Sequence, residues 1–218
     1  LDFKTAGTGT TGAGKDVSGE GNHWATSGIS STDQMLDTPT NNFCTLNPIW
    51  NGSANTLSEG NLKSSHSPNG KWEASSSTFG VSSGKWYFEF SPVAVGNTIV
   101  GVRKLDAALS VDGANNNQWG YYNTGSKRGP GALGAGVSYG SSWANGDVIG
   151  VAIDVDAGTL SFYKNNSSLG EAFNNLSAEV NPYIEFGSSS NGVANFGQDS
   201  SFAGNKTAQG NADGNGYG

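Results

Sequence analysis

Short apolar runs of period two, each closed by Gly, Asn, Ser or Pro, recur from Thr56 onward, whereas residues 1–55 show almost no periodicity. The clearest runs cover 85–91, 98–104, 118–123, 148–154, 159–164, 183–187 and 193–197, and each reads as a strand. In the first, Trp86, Phe88 and Phe90 share one face and Lys85, Tyr87 and Glu89 the other, so the ring face is expected to point inward. Ile149, Val151, Ile153 and Val155 repeat that alternation. Asp156-Ala157-Gly158 then supplies a turn, Leu160 and Phe162 run back, and Asn165-Asn166 turns the chain again. No helical window of useful length occurs.

The expectation is an all-β, antiparallel β-sandwich over residues 56–200, an extended N-terminal arm over 1–55 and a glycine-rich C-terminal linker over 201–218. Trp86, Phe88, Phe90, Ile149, Val151, Ile153, Phe162, Ile184 and Phe196 form the expected core, and Trp86→Ala would then cost about 3–5 kcal/mol. The arm offers few apolar anchors: Phe3, Trp24, Met35, Leu36, Phe43 and Leu46. It is expected to dock on the sandwich or on a neighbouring subunit, since such a polar segment buries too little to order itself.

Composition sharpens this picture. There are 34 glycines in 218 residues but only 6 prolines, which excludes collagen-like and proline-rich readings. Charged residues make up 13%, yet 10 Phe, 7 Tyr and 6 Trp supply ample core material, so the chain is not of the disordered type. A net charge of −7 with 11 Lys and Arg spread along the chain argues against nucleic acid as a partner. Cys44, being single, forms neither an internal disulfide nor a thiolate metal site. No run approaches the roughly 20 apolar residues of a membrane span, so no membrane insertion is expected. The start at Leu1, with no basic-then-apolar leader, reads as a processed chain or a piece of a longer one.

Candidate chemistry fails on context. Gly7 to Gly12 spells G-x-G-x-x-G and Gly9 to Lys15 nearly spells a phosphate-binding loop, but neither has a preceding strand and a following helix, and Asp16 would repel phosphate. Gly136-Val137-Ser138-Tyr139-Gly140 matches a nucleophile elbow, but His23 and His66 both precede it and a turn, not a helix, follows. Asp154, Asp156 and Gly158 open like a calcium loop that lacks its closing glutamate. Glu89 and Glu185 have no paired carboxylate. The sequons at Asn51, Asn166, Asn175 and Asn205 are what chance provides in a chain this rich in Asn, Ser and Thr. No catalytic residue, metal site or cofactor is expected.

The stretch Gly146-Asp147-Val148-Ile149-Gly150-Val151-Ala152-Ile153-Asp154 through Gly158-Thr159-Leu160-Ser161-Phe162-Tyr163-Lys164-Asn165-Asn166, with Leu169-Gly170 and Ala172-Phe173 after it, closely resembles the centre of the SPRY domain family. Gly84-Lys85-Trp86-Tyr87-Phe88-Glu89 resembles the family's opening strand, Val100-Gly101-Val102 its partner, and Asn181-Pro182-Tyr183-Ile184 and Val193-Ala194-Asn195-Phe196-Gly197 its closing strands. The resemblance implies a bent sandwich of two antiparallel sheets, concanavalin A-like (jelly-roll), binding partners through loops at one end and carrying no catalytic residues. Residues 16–24, 37–48 and 210–218 resemble, more weakly, the flanks of such modules in virion proteins of marine bacteriophages.

Three function classes follow: a virion surface or fibre module (tail fibre or capsid decoration), an adhesive module for host glycan or protein, and an enzyme, the last unsupported by any catalytic constellation. A carbohydrate- or protein-binding adaptor outside a virus is the alternative setting. Expected partners are other virion proteins, copies of the chain itself in a homo-oligomer, and a host surface glycan or protein; the expected location is the virion surface. Any ligand is expected to meet loops 103–117 and 123–145, with Trp119, Tyr121, Trp143, Asn116 and Asn145 as candidate binding residues and Trp143 as an exposed stacking ring.

Overall fold

The computed structural model describes residues 9–28, 42–107, 116–176 and 179–207. Phe3, Met35, Leu36, residues 37–41 of the flank, the centre of loop 103–117 and the glycine-rich exit from residue 208 lie outside them. Two compact units are present, Leu1–Asn42 and Phe43–Gly218. In the first, a 3-10 turn, Gly9–Thr11, is closed by Gly12 and Gly14 N–H donating to Gly9 O. The amides of the supposed phosphate loop are therefore turned on its own carbonyls. Hydrogen bonds from the Ser18 hydroxyl and from the Ser18 and Asn22 N–H groups hold the Asp16 carboxyl down at about 2.

The second unit is all β. Its strands are β1 (Leu46–Asn51), β2 (Asn55–Ser58), β3 (Lys63–His66), β4 (Glu73–Ser77), β5 (Lys85–Ala94), β6 (Thr98–Lys104), β7 (Gln118–Tyr122), β8 (Ser126–Gly129), β9 (Ala132–Ser138), β10 (Ile149–Asp154), β11 (Thr159–Lys164), β12 (Ser167–Phe173), β13 (Val180–Phe186) and β14 (Ser190–Asn195). They form two antiparallel sheets ordered β1-β4-β13-β6-β7-β8-β9 and β12-β11-β10-β5-β14-β3-β2. No α-helix occurs among the described residues.

The period-two runs fix the centre of the second sheet. Phe88, Val151 and Phe162 stand in one cross-strand row, and Phe90 faces Ile149. All are buried, and they meet Trp119, Tyr121, Trp143, Ile184 and Phe186 across the sandwich. Gly158, at φ 68°, closes the β10–β11 turn, and Asn165 and Asn166, both at positive φ, close β11–β12 as the right-handed strand twist favours.

β1, β4, β8 and β9 are among the strands that lie outside those runs. β1 sits inside the supposed arm, with Leu46 fully buried, so the sandwich begins before residue 56. β8 and β9 occupy the supposed loop 123–145. β4 has no aliphatic alternation yet is buried throughout, because its serines are hydrogen-bonded. The Ser75 hydroxyl donates to Asn51 Oδ1 at 2.6 Å and accepts from Asn55 Nδ2 and Ser64 Oγ. Asn55 spends both amide protons on Glu73 O and Ser75, so its Oδ1 accepts from His66 Nδ1 at 2.7 Å. That leaves the proton of His66 on Nδ1 and a bare, buried Nε2.

Candidate functional site

The short β5–β6 connection places the end of β5 and the start of β6 together, which defines two ends of the sandwich. The end holding the start of β6 is closed. Asn145 Oδ1 accepts from Val95 N–H at 2.6 Å, and Trp143 N–H donates to Asn123 O. Asp147 ties the crossing down: it accepts from Ala144 N–H and Asn165 Nδ2 and pairs with Lys164 at 3.2 Å. Partial burial pushes this carboxyl up, but those bonds outweigh it and hold it below the usual range. Trp143 drops inward against Phe90 and Tyr121.

The other end is built on residues 80–86 and the exits of β6 and β10. Gly84 N–H donates to Asp156 Oδ1 at 2.9 Å, Val155 N–H to Gly84 O, and Lys85 pairs with Asp154 at 3.3 Å. An N–H from Ala157, foremost, with Lys85 beside it, holds the Asp154 carboxyl low. Trp86 is the second residue of β5 and stands opposite Ile153. Its Nε1 turns back to donate to Ser83 O at 2.8 Å, and the residue is 49% exposed. Leu105, 40% exposed, follows β6 at the same end, and its Cδ1 lies close over Gly80. Asn116 and Asn117 are exposed beside them.

The sequence-derived binding residues are therefore not one site. Asn145 and Asn116 are exposed at opposite ends, about 20 Å apart along β6 at roughly 3.3 Å per residue. Trp119 and Tyr121 lie on the inner face of β7 and are buried, Trp119 Nε1 donating to Asn175 Oδ1. The expectation that Trp143 is an exposed stacking ring is wrong: it is 3% exposed, because the chain between β9 and β10 crosses the sandwich mouth and inserts the ring. Trp86, expected in the core, is instead the exposed tryptophan of the sandwich. The signal that could have found it is its position as the second residue of a strand, next to Gly84.

The SPRY domain family profile matches residues 85–199, just over half of the chain. The chain belongs to the SPRY domain family. Two curated relatives are ATP-dependent RNA helicases: the probable helicase ddx1 of Dictyostelium discoideum, 33% identical over 102 residues, and DDX1 of Xenopus laevis, 32% identical over 128 residues. These overlaps take in 47% and 59% of this chain but only 13% and 17% of the helicases. Among solved structures, the SPRY domain of human HERC1 superposes with a TM-score of 0.60 at 24% identity, covering 69% of this chain and 97% of that one. That likeness shows the fold. SPRY domains are typically non-catalytic interaction modules, and among the described residues no group of three metal-ligating side chains assembles. In this SPRY domain the exposed apolar side chains of the sandwich mouth gather at the Trp86–Leu105 end, while the Trp143 end is filled by its own chain.

Proposed function

We propose that the chain is a non-enzymatic binding module that takes a protein partner at the Trp86–Leu105 end of its sandwich. The observation that carries this reading is the pair of Trp86 and Leu105, large apolar side chains held in water at a loop-bearing end. A half-exposed tryptophan fixed by one hydrogen bond offers a large contact area with little ordering cost. Exposed polar residues, Asn116 and Asn117 after β6 and Asp156 bonded to Gly84, lie at the same end and supply a polar rim.

The setting we propose is the surface of a virion or fibre, where the module is displayed in many copies and attaches to a host surface protein or glycan. The Ser/Thr/Asn/Gly coat, the low charge and the 37–48 string support it. Repetition would lend avidity to contacts that are weak singly. An adaptor outside a virus would use the same end.

The test is affinity capture by the full chain and by its Trp86→Ala/Leu105→Asp double variant, with quantitative mass spectrometry. A partner enriched on the wild type and depleted on the variant supports the reading. Equal recovery on both refutes the site. An antibody against the sandwich should label purified particles; unlabelled particles would remove the virion setting and leave the interaction reading standing.

A further inference from the structure

The outer face of the second sheet carries an aromatic corner that the core and the loop end do not use. Tyr87, Ala152, Ser161 and Glu171 form one cross-strand row over β5, β10, β11 and β12. The adjoining row is Asn195, Glu89, Gly150, Tyr163 and Ser168. Tyr87 leans diagonally over Gly150, where a Cβ would lie within 3.0 Å of the phenol oxygen and two ring carbons. Its phenol therefore rests on bare backbone, one side on the sheet and the other in water, and the residue is 53% exposed. Tyr163 stands beside it edge-on, with centroids 6.3 Å apart and planes at 80°. Tyr87 OH donates to Glu89 Oε1 at 3.0 Å, and Asn195 Nδ2 reaches Glu89 Oε2 at 3.4 Å, fixing the carboxylate at the rim. Partial burial, with the Glu89 charge beside it, pushes the Tyr87 phenol up, so it remains a donor.

Ala152 and Ser161 are short, which keeps the sheet surface open from the Tyr87 ring toward Glu171. These strands carry two ammoniums, Lys85 and Lys164, and three carboxylates, Asp154, Glu89 and Glu171; Lys85 is paired with Asp154, and Lys164, in register with Ile149, is paired with Asp147. Lys63 is two strands beyond β5, opposite Val193. A ring face open to water, a second ring at right angles and unneutralised carboxylates complement a positive charge.

We propose that this corner holds an arginine or lysine side chain of a basic segment of a partner protein. The cation lies over the Tyr87 ring, against Tyr163, with Glu89 accepting its N–H. This surface is separate from the Trp86–Leu105 end and does not depend on it.

The test titrates the full chain with a Gly/Ser peptide bearing three arginines, and with the same peptide carrying citrulline, which keeps shape but not charge. Amide shifts in an NMR spectrum should concentrate at residues 87–89, 150–152 and 161–163 with arginine and vanish with citrulline. Tyr87→Ala and Glu89→Gln should each weaken binding by roughly two- to five-fold, the scale of an exposed cation–π contact. Tyr87→Phe should retain most of it, and its unchanged Tm controls for folding. Glu20→Gln, the same charge change on the other unit, should leave binding unaltered, as should Trp86→Ala. Shifts spread over every acidic surface, or equal weakening by Glu20→Gln, would overturn the proposal as non-specific attraction. A neutral oligosaccharide moving the corner amides where the arginine peptide does not would overturn it in favour of a glycan.

Discussion

Two tryptophans mark the two ends of this sandwich and behave oppositely. Trp86 obeys the alternation of its strand and still ends half in water; Trp143 sits in a Ser/Asn/Gly-rich turn and ends in the core. Alternation assigns a face of a sheet, but burial also requires that something pack over the ring, and Trp86, hydrogen-bonded back to Ser83 O near the start of its strand, stays 49% exposed. Turn-like composition describes the backbone around Trp143, whereas its burial depends on a crossing clamped by Asp147, Asn145 and Lys164. The filled end is a structural closure and the other has apolar surface to spare.

The largest expected effect separates the two rings. Trp143→Ala should destabilise by about 3–5 kcal/mol through lost packing and a cavity, while Trp86→Ala should cost about 1–1.5 kcal/mol because only about half of the residue is buried. Urea midpoints of the two variants check this, and equal shifts would erase the contrast. Next comes the polar edge beside the closed end. Ser75→Ala should cost about 1–3 kcal/mol, since it strands Asn51 and Asn55 in a buried network, measured the same way.

Acid should weaken the closed end in two steps. Burial lowers the pKa of His66 against the opposing pull of Glu73, so the folded state stays neutral where the unfolded chain takes a proton. Its contribution is complete above about 6.5 and declines as pH falls below that, toward the depressed folded value. Glu73 is pushed up by burial, but bonds from Ala54 N–H, Asn69 and Ser53 prevail and lower it. Its contribution is present above its ordinary value and is lost as pH falls toward its folded one. A His66→Gln variant should lack the first decline and keep the second in a pH series of urea midpoints. The smallest effect belongs to Leu105→Ala, whose exposed side chain should change stability by about 0.5 kcal/mol or less.

Much of the fold was legible because its central strands are amphipathic. The runs 98–104 and 159–164 coincide with β6 and β11, and the rows of Phe88, Val151 and Phe162 follow from period two alone. β4 was illegible because Glu73-Ala74-Ser75-Ser76-Ser77 is buried by hydrogen bonds to residues distant in the chain. β1 was hidden by having one deep anchor, Leu46, and a proline suited to an edge. Phe196, expected in the core, is half-buried and stacks on Phe88 at 5.5 Å. The candidate site was legible only in part: Asn116 belongs to the open end, but Trp119, Tyr121 and Trp143 have the ring chemistry of a binding site and an inward position set by tertiary closure.

Site-specific photocrosslinking from positions 86 and 145 of the full chain, in extract of the source organism, tests the functional asymmetry most directly. One discrete adduct is expected from position 86, identified by mass, competed by excess wild-type chain and not by the Trp86→Ala/Leu105→Asp variant, with none from position 145. A specific, competable adduct from position 145 with nothing from position 86 would contradict it.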